Sequence, residues 1–141
     1  MMQANEVMTT RPEYLNADAS IREVAKLMRD TDSGFEPLVR GEKVEGVLTD
    51  RDIAVRGTAE GKNPEDNALD IATQAALYTF SDTDVVEVLK NMQEQKVQRL
   101  LVLKSPDQKD LVGIITVGDI ADQCKEEAVI KELVNCATHY R

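Results

Sequence analysis

Gly46-Val47-Leu48-Thr49-Asp50-Arg51-Asp52-Ile53 and Gly113-Ile114-Ile115-Thr116-Val117-Gly118-Asp119-Ile120 follow one pattern. Each runs glycine, two aliphatic residues, threonine, two variable residues, aspartate, isoleucine. A hydrophobic run passing into a threonine-led polar step is a strand delivering the chain to a helix start. Its presence twice makes the molecule an internal duplication. The duplication extends upstream, where Ser20-Ile21-Arg22-Glu23-Val24 answers to Asp84-Val85-Val86-Glu87-Val88, and Lys26 and Met28 answer to Lys90 and Met92. Ser20 and Asp84 are 64 positions apart, Gly46 and Gly113 are 67. The second copy therefore holds three extra residues, most easily accommodated around Ser105-Pro106-Asp107-Gln108-Lys109, since hairpin tips tolerate insertion.

Each copy reads as strand, helix, strand, strand, helix, an α/β (α+β) pattern. In the first, Tyr14-Leu15 is extended, and Ser20 opens a helix with Glu23 as its capping-box partner. Ile21, Val24, Ala25 and Met28 form one apolar stripe. Residues 30–34 end that helix, residues 37–40 and 44–48 form a hairpin, and a second helix runs from Asp50 to Arg56, stopped by Gly57. In the second, Leu77 to Phe80 is a strand, and Asp84 and Glu87 cap a helix whose stripe is Val85, Val88, Leu89 and Met92. Residues 99–104 and 111–116 make the hairpin. One longer helix is expected from Gly118 towards Cys136, with Ile120, Cys124, Ile130, Leu133 and Val134 for burial. The expected boundaries are repeat 1 at 6–57, a linker at 58–69, repeat 2 at 70–136 and a frayed tail at 137–141. Two half-length repeats are each small for a separate core, so they are expected to pack as one pseudo-twofold module.

The 141 residues carry a net charge of −9. That field opposes broad contact with nucleic acid or anionic membrane, though not a local anion site. No apolar run approaches the length of a spanning helix, and the N-terminus has no signal-peptide pattern, so a cytoplasmic location is expected. Cys124 and Cys136, 12 residues apart, would lie roughly 18 Å apart on a straight helix, too far to bond. They read as small hydrophobes in a reducing compartment. Cys136 with His139 is half a metal site without a second half. No nucleophile–base pair, P-loop or metal cluster is evident, so no catalytic residues are assigned and no enzyme is expected.

The doubled pattern ending in Gly-x-x-Thr-x-x-Asp-Ile resembles a tandem pair of CBS domains, a Bateman module, over residues 6–123. The stretch from Thr49 to Gly57 is typical of small bacterial proteins made only of this pair. The resemblance implies binding of an adenosine ligand in clefts between the repeats: AMP or ATP foremost, with ADP, S-adenosylmethionine or a dinucleotide as further members of the class. It also implies a homodimer and a regulatory or sensor role towards an effector protein not identifiable from the sequence.

Thr49 and Thr116 stand where a strand becomes a helix, so each can cap free amides, with Asp52 and Asp119 answering as capping boxes. The same place suits a ligand. Free amides at a helix start favour phosphate. A carboxylate only accepts, which suits ribose hydroxyls. By resemblance, the threonines touch phosphate or ribose and the aspartates hold ribose. Arg99, at the start of the strand Leu100 to Leu103, matches a basic residue that reaches into the cleft in nucleotide-binding relatives; otherwise it is a solvated arginine. Arg51 lies inside the first motif or projects to solvent, and Gly118 replaces it in the second. The family's aliphatic-Pro-Val strand beside the adenine corresponds to Glu36-Pro37-Leu38 and Leu100-Leu101-Val102, which makes Pro37 and Leu101 candidate lining residues. Glu36 places a carboxylate where an apolar residue is usual, and it would repel phosphate if it faced the cleft. Phe35 replaces Arg99 in the first repeat. An interaction or adaptor protein that keeps the fold without the ligand is the alternative. Leu27 and Val86 lie off the apolar stripes and are expected to leave surface for a partner.

Overall fold

In the computed structural model, which describes residues 2–11, 14–73 and 77–137, each repeat folds around a three-stranded sheet. The helices are α1 (Ala4–Val7), α2 (Ile21–Thr31), α3 (Asp50–Asp52), α4 (Val85–Gln95), α5 (Val117–Gln123) and α6 (Glu127–Cys136). The first sheet orders β1 (Leu15–Asn16), β2 (Phe35–Arg40) and β3 (Lys43–Thr49), with β1 parallel and β3 antiparallel to β2. The second orders β4 (Tyr78–Phe80), β5 (Arg99–Leu103) and β6 (Leu111–Thr116) in the same directions. The mixed α/β architecture of two like repeats is therefore present. Among the described residues, no helix is long and apolar enough to cross a membrane.

The duplication holds at the level of single hydrogen-bonded positions. Both hairpins carry a register shift at the same place, between Leu38 and Val39 and between Val102 and Leu103. The three-residue insertion falls at the second hairpin tip, where Lys104 N donates to Asp110 O and Ser105 N to Gln108 O. Ser20 caps α2 by accepting from Glu23 N, whereas Asp84 caps α4 by accepting from Val86 N. Both helices end on a left-handed residue that is not glycine, Asp32 at φ 54 and Lys96 at φ 60.

The chain forms two compact units, Met1–Arg11 with Leu77–Arg141, and Pro12–Ala76. In each, a segment remote in sequence closes the sheet. Residues 67–73 bridge to the first repeat through Ser20↔Asn67 and Val47↔Thr73. Residues 3–9 bridge to the second through Gln3↔Asp84 and Thr9↔Ile114. These closures account for the glycine that opens each motif. A Cβ on Gly113 would lie 2.5 Å from Met8 Sδ and 3.0 Å from Thr9 O. One on Gly46 would lie 3.1 Å from Leu69 Cδ2 and 3.2 Å from Ala72 Cβ. The cores follow: Ile21, Val24, Leu38, Leu48 and Ile71 in the first unit, and Val85, Leu89, Leu100, Ile115 and Ile120 in the second.

Three local expectations change. The helix after Asp50 does not stop at Gly57 but continues as a π-helix over Ile53–Thr58. Gly57 is buried there, and a Cβ would meet Ile71 Cδ1 at 3.3 Å. The single C-terminal helix is broken at Cys124, whose backbone is extended (φ −122, ψ 113), so α5 and α6 point their buried sides differently. A straight helix could not bury Ile120 on the sheet and also Val129 and Cys136 against α4. Consequently Ile130 and Val134 are exposed. Val86, expected to be free, packs into the same core as Val129 and Cys136. The tail at 138–141, with His139, lies outside the described residues.

Gly113→Ala is expected to destabilise by about 1–3 kcal/mol through overpacking, and Gly46→Ala by less because Leu69 can yield. Lys96→Gly is expected to stabilise by about 1 kcal/mol by relieving the left-handed conformation. Urea denaturation of the three variants measures both effects.

Candidate functional site

The end of β3 and the end of β6 carry the same side-chain device. Thr49 Oγ1 accepts from Asp52 N at 3.0 Å while Asp52 Oδ2 accepts from Thr49 N at 3.0 Å. Thr116 Oγ1 accepts from Asp119 N, and Asp119 Oδ2 from Thr116 N, again at 3.0 Å each. The capping boxes expected from the sequence are thus formed in both repeats. Each leaves its aspartate half-buried with Oδ2 committed, and in the second repeat Oδ1 also accepts from Thr9 Oγ1 at 3.5 Å. A carboxylate oxygen has two lone pairs, so acceptor capacity for hydroxyl groups remains.

Helix-start amides contribute less than their position suggests. In the first repeat Asp50 N donates to Gly34 O, Arg51 N to Asp50 Oδ1 and Asp52 N to Thr49 Oγ1. In the second, Val117 N donates to Gln98 O and Asp119 N to Thr116 Oγ1. A phosphate would have to displace these bonds, so attraction has to come from side chains.

The strand beside each capping box separates the repeats chemically. Arg99 lies directly opposite Thr116 in the antiparallel register and is half-buried. Its counterpart Phe35 lies opposite Thr49 and is buried. Glu36 follows, opposite Leu48 and fully buried. Pro37 and Leu101 are both buried at matching register positions, opposite Val47 and Ile114. Arg51 is exposed. The second unit thus gathers Arg99, Leu101, Thr116 and Asp119 at one sheet end, and the first gathers Pro37, Thr49 and Asp52 with Phe35 in place of the cation opposite the threonine.

One residue escaped the sequence reading. Thr9 Oγ1 lies 3.5 Å from Asp119 Oδ1, on the segment that bridges to Ile114. Extending the 64-residue offset upstream pairs Thr9 with Thr73, which was the available signal.

Cys124 and Cys136 are free and buried. Burial pushes the Cys136 thiol up from its ordinary range, and Glu132 adds to this, partly opposed by a hydrogen bond with Gln93. Burial likewise raises Cys124, with Glu126 and Glu6 contributing against Lys125. Among the described residues, no three His, Cys, Asp or Glu side chains converge as a metal cluster.

A family model described as the CBS domain matches residues 4–56 and again residues 68–126. The chain belongs to the CBS-domain family. The CBS domain-containing protein YhcV of Bacillus subtilis is 29% identical over 136 residues, covering 96% of this chain and 95% of that protein. Hypoxic response protein 1 of Mycobacterium tuberculosis is 30% identical over 133 residues, covering 93% and 91%. A crystal structure of Hypoxic Response Protein I, which carries two coordinated zinc ions, has a TM-score of 0.78 at 29% identity, covering 88% of this chain and 100% of that one. The CBS domain protein PAE2072 of Pyrobaculum aerophilum, solved with AMP, has a TM-score of 0.79 at 24% identity, covering 94% and 98%. That likeness establishes the CBS fold.

Thr49→Ala and Thr116→Ala are each expected to cost about 1 kcal/mol of stability by removing a helix cap. Denaturation midpoints check this. Alkylation of both cysteines at pH 8 should be slow in the folded CBS chain and fast in urea, because only the thiolate reacts and burial disfavours it. Mass spectrometry of iodoacetamide-treated protein reads the difference.

Proposed function

We propose that this chain is a regulatory module that binds an adenosine nucleotide, AMP or ATP, and signals its presence to an effector protein as a homodimer. The observation that carries the reading is Arg99 in register opposite Thr116, with Asp119 held by the same capping box. Because the whole chain is acidic, a phosphate is drawn only where a local cation outweighs the general field. Arg99 is that cation, and its fork suits phosphate oxygens. Thr116 adds a hydroxyl, Asp119 accepts from ribose hydroxyls, and Leu101 lies on the strand expected beside the base. The relative solved with AMP supports the adenosine class. In the first repeat Thr49, Asp52, Pro37 and Arg51 form the weaker counterpart, since Phe35 and the buried Glu36 replace the cation and an apolar residue. The module acts without turning over its ligand.

A second reading, an adaptor that keeps the fold and binds no nucleotide, is favoured by the buried Glu36 carboxylate. Thermal melts with millimolar AMP, ADP, ATP, S-adenosylmethionine and NADH separate the two. A ligand at about 100 times its dissociation constant stabilises by about 2.7 kcal/mol, a rise of roughly 5–10 °C. Calorimetric titration is then expected to show affinity falling about tenfold or more in Arg99→Ala, and more in Asp119→Ala than in Asp52→Ala. A flat response across the panel favours the adaptor. Reproducible turnover of a bound nucleotide by pure protein overturns the non-enzymatic reading.

A further inference from the structure

Gln98 precedes the candidate phosphate cation and bonds to two helices of the second unit. Its main-chain O accepts from Val117 N at 3.0 Å, at the start of α5 beside the Thr116 cap. Its side-chain Nε2 donates to Cys136 O at 3.2 Å, at the end of α6. The last carbonyls of a helix have no partner within it, so Gln98 satisfies one that α6 cannot. The next residue is Arg99, half-buried and opposite Thr116. The first repeat keeps half of this arrangement. The counterpart of Gln98, 64 positions earlier, is Gly34, whose O accepts from Asp50 N at 3.0 Å. A Cβ on Gly34 would collide with the Asp50 carboxylate. In the second repeat Val117 stands in place of Asp50, and the position carries an amide that reaches α6. The cation, the amide and the covering helix thus occur together in one copy.

α6 lies lightly on α4. Val129 and Cys136 are buried and Leu133 is half-buried, while Ile130 and Val134 are exposed. Its N-cap residue, Glu126, makes no side-chain cap bond. Gln93 Nε2 donates to Glu132 Oε2 at 2.6 Å, Cys136 Sγ lies 3.5 Å from Leu89 O, and Gln98 closes the far end. A peripheral helix with so small a buried face opens locally at a lower cost than the sheet beneath it. Its opening takes the acceptor away from Gln98 Nε2, and with it a bond that fixes the strand start carrying Arg99.

We propose that α6 is a latch on the nucleotide site: docked, it fixes Gln98 and through it Arg99 in place for a phosphate, and released, it lowers the affinity. Gln98 is then a positioning residue, acting on the ligand through its neighbour. Coupling between two sites is reciprocal, so a nucleotide that binds the docked state better must itself hold α6 down. The inference rests on the nucleotide reading above and adds a regulated element to it.

Hydrogen–deuterium exchange of α6 in the full chain, with and without saturating AMP or ATP, tests the latch together with calorimetric titration of Gln98→Met and Gln93→Met. Both substitutions keep a long side chain and remove the donor, and circular dichroism checks that the variants fold. Gln93 lies on α4, outside the strand and the motif that bear the site, so its replacement reaches the ligand only through α6. Nucleotide is expected to slow exchange in α6 roughly fivefold or more in the unsubstituted protein. Each substitution is expected to speed that exchange and to weaken nucleotide binding by a similar factor. Should Gln98→Met fail to fold, Gln93→Met decides alone. Nucleotide binding that leaves α6 exchange unchanged would overturn the latch while the nucleotide reading stands. So would a Gln93→Met chain whose α6 exchanges no faster, or one whose α6 exchanges faster at undiminished affinity. Failure of the unsubstituted protein to bind either nucleotide would overturn both readings.

Discussion

A threonine and an aspartate three residues apart exchange two hydrogen bonds in each repeat, and much of the organisation of the chain follows from that exchange. The threonine ends a strand and caps a helix, so the turn from sheet to helix is fixed without glycine or proline. The aspartate is held half-buried with a known oxygen committed, which is how a structural cap becomes a preorganised acceptor. Because the reciprocal bonds are made inside the motif and the others go to main-chain carbonyls at Gly34 and Gln98, the device is indifferent to the side chains of the neighbouring strand. That strand is free to differ, and it does: Arg99 beside one motif, Phe35 and Glu36 beside the other.

The two copies have therefore diverged in chemistry on a shared backbone. Register, bulge position, capping box and closing segment all recur, while among the described residues a cation opposite the motif threonine and a helix covering the outer side are seen in the second copy. A duplicated fold that carries the cation in one copy and keeps the scaffold in both has two chemically unequal sheet ends. It likewise gives one helix face covered within the chain and one left open beside α2.

The repeats, the hairpins, the insertion and the capping boxes of Thr49 and Thr116 were legible because each is written locally; at Ser20 and Asp84, where boxes with Glu23 and Glu87 were expected, the cap residue accepts a bond but no reciprocal box forms. The purpose of Gly46 and Gly113 was not, since it depends on segments that return from Thr73 and from Thr9. The break at Cys124 was invisible for a related reason. Apolar periodicity continues through it, and only the demand to bury Val129 and Cys136 against a different surface forces the extended backbone. The first helix ends within residues 30–34 as expected, with the left-handed residue at Asp32, and Lys96 takes the same place in the second copy. In the candidate site, the motif residues were readable, and Arg99 was placed by the offset. The satisfied state of the helix-start amides was not readable, because their acceptors Gly34 O and Gln98 O lie on other elements.

The central claim is that the cation-bearing sheet end is the principal nucleotide site. Backbone amide NMR during titration with AMP tests it most directly, because it reports both ends of the duplication in one experiment. The account predicts saturable shifts concentrated at Arg99, Leu101, Thr116 and Asp119, with weaker changes at Thr49 and Asp52. Shifts confined to the Phe35–Thr49–Asp52 end, or none at saturating nucleotide, would contradict it.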